Sequence, residues 1–151
     1  MNKTIEHIPL TNDERRRLKE SLFAEKCSCV IRNGDEIRLF RERGVKDLFR
    51  LLREEPQFLG GAFVADKVVG KAAAALMVLG GVEEVFADVI SRPARELLER
   101  ARIRVEYTLE VPHIINRTQT DRCPLEKRCS DAATAEACLP LIEAFVASLP
   151  A

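Results

Sequence analysis

Residues Gly60–Gly81 read GGAFVADKVVGKAAAALMVLGG, and this stretch decides the fold. A short apolar run, Ala62–Ala65, stops at Asp66-Lys67 and passes into an alanine-rich segment closed by Gly80-Gly81. The pattern predicts a strand over 62–65 feeding directly into a helix from about Lys67 to Leu79. Two lysines and a carboxylate stand at that junction. In open α/β sheets, ligands settle beyond the carboxyl ends of strands, where helix N-termini aim free N–H groups outward. The junction is therefore the first place to look for function.

On the N-terminal side, Thr11 to Glu25 predicts a charged helix. Thr11 or Asn12 would be its N-cap, with Leu18, Leu22 and Phe23 on one face. Cys27–Arg32 and Glu36–Phe40 flank Asn33-Gly34-Asp35, and an Asn-Gly pair between two such runs signals a β-hairpin. Helical spacing follows over Gly44–Glu55 and ends before Pro56, because the residue preceding a proline avoids the α region. On the C-terminal side, Glu84–Ile90 is β-rich though imperfectly alternating. Ser91 and Pro93 then open a helix, and Ile103, Val105 and Tyr107 mark another strand. The tail, Asp131–Leu149, carries an apolar stripe interrupted by Pro140, which predicts a kink or two short helices. Strands separated by helices pair in parallel through right-handed crossovers. The expected architecture is a three-layer α/β/α single domain over 1–151, with a mixed sheet of about five strands. It comprises an N-terminal helical extension (1–25), a core (26–129) and a C-terminal helix (130–151).

The 24 basic and 24 acidic residues cancel, so net charge gives no argument for nucleic acid or an anionic membrane surface. With no Trp and one Tyr, the chain also lacks the aromatic platforms that stack bases. No apolar run reaches the length of a membrane span, and MNKTIEHIPLTNDERRRLKE lacks the apolar centre of a secretion signal. A cytoplasmic location without membrane or nucleic-acid partners is the expectation. Five cysteines, at 27, 29, 123, 129 and 138, suggest small core residues rather than a disulfide framework.

ADKVVGKAAA, the following LGG, and INR with CPLEK carry a resemblance to domain-of-unknown-function family 1893. It covers roughly Cys27 to Cys129. The resemblance implies a cytidine-deaminase-like fold, which has this hairpin-then-alternating layout, and no established activity. True zinc deaminases need His or Cys plus Glu at the first sheet-facing helix and Pro-Cys-x-x-Cys at the next. Here the two positions read Ala65-Asp66-Lys67-Val68-Val69 and Ile90-Ser91-Arg92-Pro93-Ala94. Neither set activates a water, so no metal or other cofactor is expected.

Several side chains at these strand ends have chemistry to offer. Lys67 and Lys71, four apart on one predicted helix face, would hold a phosphate or carboxylate together with the helix dipole; a solvated pair is the bland alternative. A P-loop is rejected, since Ala72 stands where Ser or Thr should bind magnesium. Gly70 then falls mid-helix, at a cost of about 1 kcal/mol. Asp66 is read as catalytic or as the N-cap, and Ser91 as a ligand contact or a cap. In the irregular stretch Glu110–Arg128, Asn116 and Glu126 are ligand-binding candidates. Cys123, ahead of Pro124, is a candidate nucleophile with His113 as base. Cys123, Cys129 and His113 match no common zinc spacing. The leading expectation is a site for an anionic, nucleotide-like small molecule. The alternative is a non-catalytic protein that self-associates, as a homodimer, through its sheet and terminal helices.

Overall fold

The structure, a computed structural model, describes residues 10–41, 45–114 and 124–149. Helix α1 (Asn12–Ala24) starts at a capping box in which Thr11 Oγ1 accepts from the Glu14 N–H and Glu14 accepts from the Thr11 N–H, both at 3.1 Å. Strands β1 (Cys29–Asn33) and β2 (Glu36–Phe40) form the hairpin. Its turn is Gly34-Asp35, with Gly34 at φ +60°, the conformation a glycine at the first turn position adopts without penalty. Asn33 belongs to the strand, and its amide donates to the carbonyls of Phe58 and Gly60 at 2.8 and 2.9 Å.

Helices α2 (Lys46–Glu54) and α3 (Pro56–Leu59) lead to β3 (Phe63–Val69), α4 (Lys71–Gly80), β4 (Glu84–Ser91), α5 (Arg92–Arg100) and β5 (Arg104–Val111). Last in the chain come α6 (Pro124–Cys129) and α7 (Ala135–Ala147). The sheet runs β2-β1-β3-β4-β5, antiparallel through β2-β1-β3 and parallel through β3-β4-β5. The mixed five-stranded α/β arrangement expected from the sequence is present. Because β3, β4 and β5 advance in one direction, both crossover helices lie on one face, where α2 and α7 also pack against α4. Surrounded in this way, α4 is buried from Lys71 to Met77, and its run of alanines lets three helices and the sheet approach closely.

The other face is covered by α1, whose Leu18 and Leu22 pack on Val30, Phe63, Ala65 and Phe86. Arg15 fastens it to β4 through a two-pronged ion pair with Glu84 at 2.7 and 3.1 Å. Helix α1 is thus the third layer of the fold.

The decisive stretch departs from expectation at its centre. Strand β3 does not stop at Ala65; it continues through Asp66, Lys67, Val68 and Val69. Val68 and Val69 pair with Val89 and Ile90 of β4, and the Lys67 N–H donates to the Ser28 carbonyl at 3.0 Å. Two β-branched residues paired with β4 outweigh the helical reading of the lysines. Lys67 and Lys71 therefore do not share a helix face, and Gly70 is the N-cap of α4 rather than a mid-helix residue. Asp66, inside the strand, caps no helix; its Oδ1 accepts from the Val68 N–H at 3.2 Å.

The facing pattern also shifts phase here. Val64 and Val69 both join the core under α4, as do Val85, Ala87 and Ile90 in β4. An odd step replaces strict alternation, which explains the irregular pattern of Glu84–Ile90. At the tail, α7 runs unbroken through Pro140. Pro140 is exposed, and the carbonyl it leaves without a helical partner belongs to exposed Glu136.

Candidate functional site

The carboxyl ends of the three parallel strands converge on one cavity of about 260 Å³, lined by Lys71, Pro93, Pro112, His113, Glu126 and Ser130. Each wall follows from a strand end. After β3, Gly70 turns the chain into α4, whose first residue is Lys71. After β4, Ser91 caps α5 with its Oγ accepting from the Ala94 N–H at 3.3 Å, and Pro93 lies just inside that helix. After β5 come Pro112 and His113, and α6 supplies Glu126.

Gly70 has no side chain to cap α4, and Glu126 performs that task from 55 residues away. Its Oε2 accepts from the Lys71 N–H at 3.1 Å. A carboxyl group at a helix N-terminus is favoured by the dipole and by the unbonded N–H groups there. A Cβ at position 70 would sit 2.4 Å from Glu126 Oε2, so glycine is what admits this contact. The helix tip expected to receive an external anion already holds an internal one.

Lys71 is engaged as well. Only 8% exposed, it places its ammonium on the carbonyls of Ser130 (3.3 Å) and Ala132. By contrast, Glu126 Oε1 is buried and has no hydrogen-bond partner among the described residues. That oxygen belongs to a residue that is 6% exposed and lines the cavity, and buried polar atoms ordinarily have a partner.

Of the residues named from the sequence, the structure brings Lys71 and Glu126 together with His113. Lys67 is a half-buried strand residue outside the cavity wall. Ser91 is fully buried, and its hydroxyl is spent on the α5 cap. Asp66 is buried farther down β3, opposite Cys29 of β1, and is not in the wall. Burial pushes its pKa up from 3.8 to about 7, against hydrogen bonds from the Val68 and Lys67 N–H groups. Burial, with Asp66 and Asp47 nearby, likewise holds the Cys29 thiol well above its ordinary value. Asn116 and Cys123 lie outside the described residues. Among the described residues, no group of three His, Cys, Asp or Glu side chains is placed to hold a metal, and no helix is long and apolar enough to cross a membrane.

The sequence reading missed Pro93, Pro112 and Ser130 as wall residues, and it missed the capping role of Glu126. A helix preceded by Gly70, without Ser, Thr, Asp or Asn, was the available sign that a distant group supplies the cap.

The family model TM1506, a domain of unknown function (DUF1893), matches residues 17–146. The chain belongs to the DUF1893 family. The match begins inside α1 and ends inside α7, so it takes in every strand and the cavity. The crystal structure of a DUF1893 family protein (TM1506) from Thermotoga maritima is similar, with a TM-score of 0.83 at 24% identity, covering 93% of this chain and 95% of that one. At that identity the likeness speaks for the fold. No curated protein matches this chain.

Proposed function

We propose that this DUF1893 protein binds a small polar molecule in the cavity at the strand ends, on a deaminase-like scaffold without zinc, and recognises it through an N–H or O–H donor. The observation that carries this reading is Glu126, a residue of the cavity wall whose Oε1 is buried and has no hydrogen-bond partner among the described residues. Leaving such an acceptor dry and unsatisfied costs about 1–3 kcal/mol, which a donor on the ligand recovers. The cavity, at about 260 Å³, is at the small end for ligand sites and suits a single ring system. The nucleotide-like character comes from fold resemblance, and we assign it to the base rather than to phosphate. Both groups expected to hold an anion, the Lys71 ammonium and the α4 N-terminus, are already satisfied within the chain. The reading is one of binding: of the two catalytic candidates, Asp66 stands outside the wall and Cys123 lies outside the described residues.

Thermal melting with free bases, nucleosides and inorganic phosphate tests it. A ligand at 100 times its dissociation constant adds about 2.7 kcal/mol of stability. Bases or nucleosides bearing ring or exocyclic N–H groups should raise the melting temperature of the parent. Glu126→Gln, which keeps an oxygen for the α4 cap and puts an NH₂ in place of Oε1, should abolish the shift. A shift from phosphate alone, or an undiminished shift in Glu126→Gln, overturns the reading.

A second reading, self-association as a homodimer, is favoured by apolar side chains left uncovered on the sheet. Ile37 and Leu39 alternate with Arg38, which stacks on Phe58, and Val68 and Leu109 flank Val89 in one cross-strand row. All four exposed residues stay in water in a monomer. Sedimentation at micromolar concentration decides it, a monomer counting against.

A further inference from the structure

The hairpin leaves one edge of the sheet open. Strand β2 pairs with β1 on one side, and among the described residues no strand pairs with its other side. The Phe40 carbonyl accepts from the Ser28 N–H at 2.7 Å, so the backbone groups of Phe40 point toward β1. In an antiparallel strand that direction alternates residue by residue. Glu36 and Arg38 therefore also turn their N–H and C=O groups to β1, while Ile37 and Leu39 turn theirs outward from the edge. The side chains alternate between the two faces of the sheet. On one face, the Arg38 guanidinium lies 3.9 Å from the Phe58 ring and is held by Glu55 at 3.0 and 3.1 Å. On the other, Leu39 lies beside Val30, which α1 covers, yet Ile37 and Leu39 themselves are 54% and 40% exposed. An open edge of this kind is a template for a further strand.

We propose that two copies of this chain join through β2, edge to edge and antiparallel, about a two-fold axis through Ile37, so that their sheets become one. This names the interface of the self-association reading above and rests on it. The charge pattern of the strand selects both the occupant and the register. Outward-turned residues must face one another across a two-fold seam, so the axis passes through Ile37, Arg38 or Leu39. About Arg38, each guanidinium meets its own copy, and like charges directly opposite repel. About Leu39, Arg38 meets Phe40 of the second copy and Ile37 meets Arg41. About Ile37, Glu36 of each copy meets Arg38 of the other, and symmetry makes that pair twice. The same axis sets Ile37 against its counterpart with Leu39 on the diagonal, which covers both exposed apolar side chains. Glu55 already holds Arg38 in place, and Glu36 is largely exposed, so neither side chain needs to leave the sheet to make the pair. An edge complementary to itself in charge and in apolar surface is suited to a second copy.

Sedimentation of the full-length protein and its variants tests the seam. Glu36→Arg sets Arg against Arg at both pairs and should raise the dimer dissociation constant at least about tenfold. Arg38→Glu should do the same by setting carboxylate against carboxylate. A one-to-one mixture of these two variants should recover the dimer, because both pairs across the seam are then opposite in charge. Ile37→Pro removes an outward N–H and no bond to β1, so it should leave a folded monomer. Circular dichroism checks each fold; should Arg38→Glu not fold beside Glu55, Glu36→Arg and Ile37→Pro carry the test. A monomeric parent overturns this proposal together with self-association. Undiminished dimerisation of Glu36→Arg overturns the β2 seam alone, and dissociation by Leu109→Lys in its place moves the interface to the other exposed row. Two folded charge variants that fail to associate when mixed also overturn the register about Ile37.

Discussion

Asp66→Asn should make the protein more stable, and by an amount that grows with pH. Asp66 is 9% exposed, and its pKa rises from 3.8 to about 7 on folding because burial disfavours the charged form. Below pH 4 both folded and unfolded states hold the proton, and the group contributes nothing to stability. Between pH 4 and 7 the folded state keeps a proton that the unfolded state has lost, so stability falls as pH rises. Above pH 7 both states are ionised, and the full cost stands at about 4 kcal/mol, taking 1.36 kcal/mol for each pH unit between the two pKa values. Asparagine keeps the shape and an oxygen for the Val68 N–H, but it carries no charge. Its exchange for a carboxylic acid adds an offset that is the same at every pH. The telling quantity is therefore the change in the variant's advantage between pH 5 and pH 8, about 3 kcal/mol. Urea unfolding at the two pH values measures it. Parallel stability curves for parent and variant would refute the desolvation argument, because a satisfied, solvated carboxylate gives no such slope.

Gly70→Ala should cost about 1–3 kcal/mol by driving a methyl group into Glu126 Oε2 at 2.4 Å. In a Glu126→Ala background the same change should cost much less, and thermal denaturation of the four-protein cycle reads the difference. Leu22→Ala, at a fully buried position under α1, should lose about 2–5 kcal/mol in chemical denaturation; a near-neutral result would make α1 an appendage after all. Ser91→Ala should lose about 1 kcal/mol of stability with the α5 cap, while any melting shift produced by a base survives.

The chain's own pattern carried most of the architecture. The capping box at Thr11, the hairpin around Gly34, the stop before Pro56 and the Ser91 cap are all local devices: their partners lie within a few residues, so sequence spacing determines them. Even so, locality misplaced the hairpin turn by one residue, because Asn33 is held by carbonyls some 25 residues on. It also ended β3 four residues early. The charged pair Asp66-Lys67 looks like a strand end, yet pairing with β4 on one side and the Ser28 carbonyl on the other holds those residues extended.

The site divides along the same line. That something should gather beyond the strand ends, with Lys71, Glu126 and His113 among the candidates, was legible from sequence. Which of them would be free to meet a ligand was not. That depends on contacts between residues far apart in the chain: the carboxyl of Glu126 on the first N–H of α4, and the Lys71 ammonium on carbonyls near residue 130. Periodicity and caps record what each segment does with its neighbours. Only the packed molecule determines which polar atoms find partners across it, and it leaves Glu126 Oε1 without one among the described residues.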